Sequence, residues 1–235
     1  MRWSIVIFCY NEVESLEKTF HEVESVIKRL SDDWQIIIVD DGSSDGSREI
    51  AERLRDTYKV ELVAHEVNLG IGQALRSGYT HATGYWVCAV PADGQFDLNE
   101  LLLIGAYPQN SFVSFYRKEN LQYSLFRNIL SLINKELNAI FLKMRLKDVN
   151  WVKVYPNHIL KTLELKINSS LIESEICAKL IHLGYTPIEV PSKYQPRFGG
   201  VSKGASFRIV RQAAIETVKL IAVHAAFVKK KRLKA

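Results

Sequence analysis

The 235-residue chain is poor in cysteine, with three, and these carry no C-x-x-C spacing. Cys9, Cys88 and Cys177 lie far apart. A disulfide framework is therefore excluded, and buried thiols in a reducing compartment are the expectation. Long apolar runs are also missing. The longest candidate, Leu220 to Val228, is bounded by Lys219 and Lys229 and is too short to span a bilayer. The opening MRWSIVIFCYNE lacks the apolar stretch and small-residue cleavage site of a signal peptide. The expected location is thus cytoplasmic, with only peripheral membrane contact. No G-x-G-x-x-G follows the first apolar run, where the chain reads Cys9-Tyr10-Asn11-Glu12, and Gly70-Ile71-Gly72 lacks a third glycine. No Walker lysine loop occurs, so Rossmann dinucleotide and P-loop sites are both excluded.

Charge of one sign is scarce in each half. Residues 1–105 hold nine Lys/Arg against eighteen Asp/Glu, a net of −9, and residues 106–235 hold 22 against 8, a net of +14. The overall +5 conceals two surfaces of opposite sign. With 47% hydrophobic and 24% charged residues, the chain is globular in composition.

Short apolar runs alternate with helical patterns through the first half. Ser4–Phe8, Gln35–Val39, Val60–Ala64 and Tyr85–Val90 read as strands. Between them, Val13, Leu16, Phe20, Val23, Ile27 and Leu30 form one helical stripe, and helices are expected near 47–57 and 73–83. This βαβ succession predicts an α/β domain with a mostly parallel central sheet flanked by helices. In the second half, Phe112–Tyr116, Trp151–Tyr155 and Thr186–Val190 read as strands. Helices are expected over 124–144, 172–183 and 206–228, and the first and last are amphipathic and basic. Residues 1–205 are expected to form one domain, with 1–105 as a nucleotide-binding half and 106–205 as an acceptor half; 206–235 is a basic amphipathic helix and tail.

Ligands of such sheets bind beyond the carboxyl ends of the strands, and these ends are polar here. They carry Tyr10, Glu12, Asp40, Asp41, Asp45, Asp93 and Asp97. Carboxylates repel a polyphosphate, but they can hold a divalent cation that binds it, or accept hydrogens from a base and ribose. The competing reading of DDGSSDGS is a turn followed by a helix cap, and that is all Asp45 and Ser47 are expected to provide. Adjacent Asp40 and Asp41 at the end of a buried strand ask for a stronger reason. The histidines His65, His81 and His182 lack metal-ligand spacing and read as packing or surface residues.

The ordered segments YNEVESL, IIIVDDGSSDGS, NLGIGQALRSGYTHATGYWV and PADGQFDLNEL resemble the family 2 glycosyltransferases of GT-A fold. Within that family they are most similar to polyprenyl-phosphate sugar synthases of the dolichyl-phosphate mannose synthase type, over roughly residues 4–205. The resemblance implies an inverting, metal-dependent transfer from a GDP- or UDP-sugar to a polyprenyl phosphate at the cytoplasmic membrane face. It implies that Tyr10, Glu12, Asp40 and Asp41 hold the nucleotide. Asp93 and Gln95 match the metal positions for Mg²⁺ or Mn²⁺, and Pro91 stands where the family's first Asp would be. Phe8 stands where a proline usually precedes Tyr-Asn-Glu. For the acceptor phosphate the matching positions are Arg117, Arg127, Ser131, Arg197 and Lys203. Glu175 with Lys179 resembles the family's Glu-x-x-x-Lys helix, and Asp148-Val149-Asn150-Trp151 its Asp-led segment.

The residues themselves agree with a phosphate acceptor, because a phosphate monoester is largely dianionic at neutral pH and needs positive charge more than a base. A hydroxyl acceptor would need a base, for which Glu173 or Glu175 is the candidate. A third reading is an inactive relative that serves as a membrane assembly partner. The expected partners are an anionic membrane surface or a membrane-embedded subunit; no nucleic-acid motif is present.

Overall fold

The structure is a computed structural model that describes residues 1–104, 110–118, 135–199 and 207–232, with side chains in the last segment from 215 to 231. Four strands open the chain: β1 (Trp3–Cys9), β2 (Trp34–Asp40), β3 (Val60–Ala64) and β4 (Trp86–Pro91). They alternate with helices α1 (Leu16–Leu30), α2 (Ser47–Thr57) and α3 (Ile71–His81). A 3-10 helix, Leu98–Leu103, leads towards β5 (Ser111–Arg117). Then follow a helical stretch α4 at 135–141, β6 (Lys153–Pro156), the single turn α5 (Asn157–Leu160), α6 (Ile172–His182), β7 (Thr186–Ser192) and α7 (Phe207–Arg232).

The seven strands form one sheet in the order β3-β2-β1-β4-β6-β5-β7. Every neighbouring pair is parallel except the two that involve β6, which runs against both β4 and β5. β1 is central to the parallel part and apolar on both faces. Ile5 and Ile7 pack with Phe20, Val23 and Ile27 of α1, and Val6 packs with Leu75 and Tyr79 of α3 on the other side. The α1 stripe is thus the buried one, with Leu16, Phe20, Val23 and Ile27 inaccessible to solvent. Covering both faces of a parallel sheet removes the polar alternation that a half-exposed strand would show.

Two expected elements differ. The helix read over 124–144 ends before Met144: Lys143 has φ +53°, a conformation that breaks a right-handed helix. Leu142 and Met144 then bury in the α3-side core while Ile140 and Phe141 stay exposed. Residues 119–134 lie outside the described residues, and so does the first part of that helix. The second difference is β6, whose reversed direction periodicity does not encode.

Candidate functional site

A cavity of about 560 Å³ opens at the carboxyl ends of β1, β2 and β4. Tyr10, Glu12, Asp41, Asp93 and Gln95 line it together with Arg117, Lys153, Glu173 and Arg197. Residues of the acidic and the basic half of the sequence therefore meet around one space.

The loop that carries the first acid is held by DDGSSDGS. Backbone N–H groups of Asn11, Glu12 and Val13 donate to Ser43 Oγ (2.9 Å), Ser47 Oγ (2.8 Å) and Asp45 Oδ2 (3.1 Å). Asn11 adopts φ +54°, which asparagine tolerates because its short side chain bonds locally; its Oδ1 accepts from the Ser44 N–H at 2.8 Å. Gly42 has φ +71°, and a Cβ there would stand 2.4 Å from the Val67 carbonyl carbon. Only glycine fits between these two loops.

Asp40 and Asp41 separate by strand alternation. Asp40 shares the parity of Ile36 and Ile38, which pack on the α1 side, and Asp41 that of Ile37 and Val39, which pack on the α3 side. Asp40 is fully buried and pairs with Arg48 Nε at 2.9 Å. Expected to hold the nucleotide, Asp40 instead anchors the start of α2 and is not part of the cavity wall. Asp41 is part of the wall, and its oxygens accept from the backbone N–H of Leu69 (2.9 Å) and Gly70 (2.8 Å).

Asp93 follows β4, and burial pushes its carboxyl pKa upward, against the Gln95 N–H and Arg197, which stabilise the charge. Arg197 Nη1 lies 2.9 Å from Asp93 Oδ2, and Arg197 Nη2 donates to Glu12 Oε1. The Gln95 amide nitrogen donates to the Tyr194 hydroxyl. Gly94 has φ +72°, and the Phe198 ring lies where its Cβ would be, 2.3 Å away. The Lys18 ammonium sits 3.5 Å from the centre of that ring, which fixes the segment carrying Arg197.

Arg117 forks onto Asp148, Nε to Oδ2 at 2.7 Å and Nη2 to Oδ1 at 3.1 Å, and stacks 4.8 Å from the Trp151 ring centre. Lys153, 1% exposed, donates to the carbonyls of Asp148 and Trp151. Glu173 accepts from Tyr79 at 2.8 Å and from the Tyr155 hydroxyl, and burial raises its pKa.

Glu175, expected to be catalytic, does not line the cavity. Its carboxylate takes the Lys166 and Ile167 N–H groups at 2.9 Å each and pairs with Lys179, which also donates to the Glu164 carbonyl. It ties the 164–167 segment to α6. The helix turns Glu173, two residues earlier, towards the cavity instead. Arg127, Ser131 and Lys203 lie outside the described residues. Sequence reasoning missed Lys153; its one signal was a lysine inside the apolar run Trp151–Tyr155.

Residues 4–107 match the family model described as Glycosyl transferase family 2. Over these residues, which include β1 to β4, the chain is similar to family 2 glycosyltransferases. Over 167 residues the chain is 30% identical to undecaprenyl-phosphate 4-deoxy-4-formamido-L-arabinose transferase of Photorhabdus laumondii, covering 68% of this chain and 50% of that protein. It is 32% identical over 133 residues to the protein of the same name from Salmonella choleraesuis, covering 55% and 41%. The chain spans about half the length of the curated relatives it matches. Glucosyl-3-phosphoglycerate synthase of Mycobacterium tuberculosis, solved with Mn²⁺, UDP and phosphoglyceric acid, superposes with TM-score 0.66 at 17% identity, over 93% of this chain and 78% of that one. A mannosyltransferase of Pyrobaculum calidifontis with GDP-Man and Mn²⁺ gives 0.58 at 16%, over 99% and 75%. These superpositions show the GT-A fold.

The site offers a small donor set to a divalent cation. Among the described residues no three His, Cys, Asp or Glu side chains converge as a metal site. Asp93 is the single carboxylate at the end of β4, Pro91 contributes none, and Gln95 keeps its amide oxygen. One carboxylate and one amide oxygen suit a hard cation that takes its remaining ligands from a diphosphate and water. They do not suit a cation held by protein alone.

Proposed function

We propose that this family 2 glycosyltransferase moves a sugar from a nucleoside-diphospho-sugar to a polyprenyl phosphate, inverting the sugar's anomeric centre. The observation that carries this reading is the meeting of Glu12, Asp41 and Asp93 with Arg117 and Arg197 around one cavity. The relatives named undecaprenyl-phosphate 4-deoxy-4-formamido-L-arabinose transferase support the acceptor class.

On this reading Tyr10, Glu12 and Asp41 receive the nucleoside, and Asp93 and Gln95 hold Mg²⁺ or Mn²⁺. The cation would supply positive charge to the departing diphosphate. Arg117, with Arg127, Ser131, Arg197 and Lys203 on the strength of the resemblance, aligns the acceptor phosphate. A phosphate oxygen attacks C1 of the sugar, the bond from C1 to the diphosphate oxygen breaks, and its electron pair leaves with the nucleoside diphosphate. Attack from the face opposite the leaving group inverts the centre. The attacking oxygen carries no proton, so no base is required. Guanidinium groups suit this task because they fork onto phosphate oxygens and stay charged.

The lipid carrier places the chain at an anionic membrane surface, for which the cytoplasmic face is the proposed side. Among the described residues no helix is long and apolar enough to cross a membrane. α7 carries exposed Ile215 and Val218 together with Lys219 and Lys229 to Lys231, the composition of a helix that lies in a headgroup layer.

The test is incubation with radiolabelled UDP- and GDP-sugars, Mn²⁺ and undecaprenyl phosphate. Label transferred to lipid phosphate, and lost in Asp93→Ala, supports the proposal. Hydrolysis without transfer points to another acceptor. Absence of nucleotide binding leaves the inactive assembly partner as the remaining reading.

A further inference from the structure

Behind Asp41, on the side away from the cavity, stands a chain of two more polar groups. His65 Nδ1 lies 2.7 Å from Asp41 Oδ1, and His65 Nε2 lies 2.9 Å from Ser77 Oγ. The His65 side chain is 10% exposed and that of Asp41 4%. His65 comes from the residue after β3 and Ser77 from the middle of α3, so two elements clamp one ring. Neither lines the cavity.

We propose that His65, oriented by Ser77, is a positioning residue that presents Asp41 to the nucleoside of the donor; this rests on the donor reading above. A carboxylate has no hydrogen to give, so Nδ1 carries the hydrogen and donates to Asp41, and Nε2 hydrogen-bonds the Ser77 hydroxyl. A carboxylate has about four acceptor positions. On Oδ1 two are taken, by His65 and by the Leu69 N–H, and on Oδ2 one is taken, by the Gly70 N–H. One position remains, on Oδ2. A carboxylate so fixed takes a single N–H or O–H of the ligand at a set place. Without His65 it can rotate and accept water on Oδ1. The hydrogen comes from one of two sources. A ring N–H on the pairing edge distinguishes uracil (N3–H) and guanine (N1–H) from cytosine, whose ring N3 carries no hydrogen, and a ribose hydroxyl does not.

The two ends of the ring can be tested apart. In His65→Asn the amide nitrogen replaces Nδ1, keeping the donor to Asp41 and losing Ser77. In His65→Gln the amide replaces Nε2, keeping Ser77 and losing Asp41. Calorimetric titration with UDP, GDP and CDP reads the affinity, and steady-state kinetics separates KM from kcat. The expected result is a loss of about tenfold in affinity for His65→Gln and near-parent binding for His65→Asn, the loss being of the size of one charge-assisted hydrogen bond. KM for the donor rises and kcat holds, because Asp41 does not touch the reacting atoms. Ser77→Ala falls between the two. Equal affinities in His65→Gln and the parent overturn the positioning role and leave the donor reading standing. Equal losses in the Asn and Gln variants show a merely structural ring and overturn it too. If the parent binds no nucleoside diphosphate, the donor reading itself falls and takes the proposal with it. Tighter UDP and GDP than CDP binding assigns the hydrogen to the base, and equal binding assigns it to the ribose.

Discussion

Arg197 Nη1 lies 2.9 Å from Asp93 Oδ2, joining residues 104 apart in sequence. The same guanidinium reaches Glu12, so one arginine neutralises two carboxylates of the proposed donor site. An acceptor phosphate entering beside the donor's cation brings the anion that Arg197 can fork onto, while the cation brings the positive charge that Asp93 then needs. The arginine exchanges partners rather than losing them.

Arg197→Ala should therefore act in opposite directions on two ligands. Mn²⁺ alone, followed by electron paramagnetic resonance, should bind more tightly because a competing cation is gone. The KM for the polyprenyl phosphate should rise about tenfold or more, the size of a lost charge-assisted contact. A fall in both affinities would mean that the arginine supports the loop and does not compete.

Glu175 and Lys179 should matter for stability rather than for binding. Their side chains are 1% and 3% exposed, and breaking a buried pair from one side costs about 3 kcal/mol or more. Urea unfolding of Glu175→Ala should show that loss, and the paired change to Leu and Met should recover much of it. UDP affinity, measured on the folded protein, should stay at the parent value. A selective loss of UDP binding would return Glu175 to the site.

The strand and helix succession was legible because a sheet covered on both faces demands apolar runs, and α1 carries a clean stripe. The positions of Tyr10, Glu12, Asp41 and Asp93 were legible from the rule that such sheets bind at their carboxyl ends. The distinction between Asp40 and Asp41 was available in the parity of Ile36 to Val39, but adjacency alone hides it. Glu173 and Glu175 could not be separated in this way. Residues 172–180 of α6 are buried on every side, so the helix has no polar face to give its phase. The Arg117–Asp148 fork depends on β6 running antiparallel between β4 and β5. That pairing is a tertiary choice, and local pattern does not carry it.

Glu173 should make stability depend on pH. Burial raises its pKa above the ordinary 4.5, so the folded chain holds this proton more tightly than the unfolded chain. Its contribution is fully present below 4.5 and is lost as pH rises through the elevated folded value. Thermal melts of the parent should accordingly decline with rising pH, relative to Glu173→Gln, above the ordinary carboxylate range. Parallel pH profiles of the two proteins would show that Glu173 is not the titrating group. Transfer to lipid phosphate should survive the substitution, whereas transfer to a hydroxyl, if Glu173 were its base, should not.

Vesicle binding tests α7. Leu220 and His224 are buried, while Ile215, Val218, Ala222 and Ala225 face outward at spacings of three and four. The outward stripe is apolar and ends in Lys229, Lys230 and Lys231, so it complements a surface that is apolar beneath and negative on top. Each lysine near an anionic surface contributes about 1 kcal/mol. Reversing all three to Glu should therefore weaken flotation with phosphatidylglycerol vesicles about a hundredfold or more. High salt should weaken the parent in the same direction, because exposed charges are screened. Ile215→Ser with Val218→Ser should weaken binding too, by a similar factor at low and high salt, since apolar burial is what they remove. Undiminished flotation of both variants would place the membrane contact elsewhere on the chain.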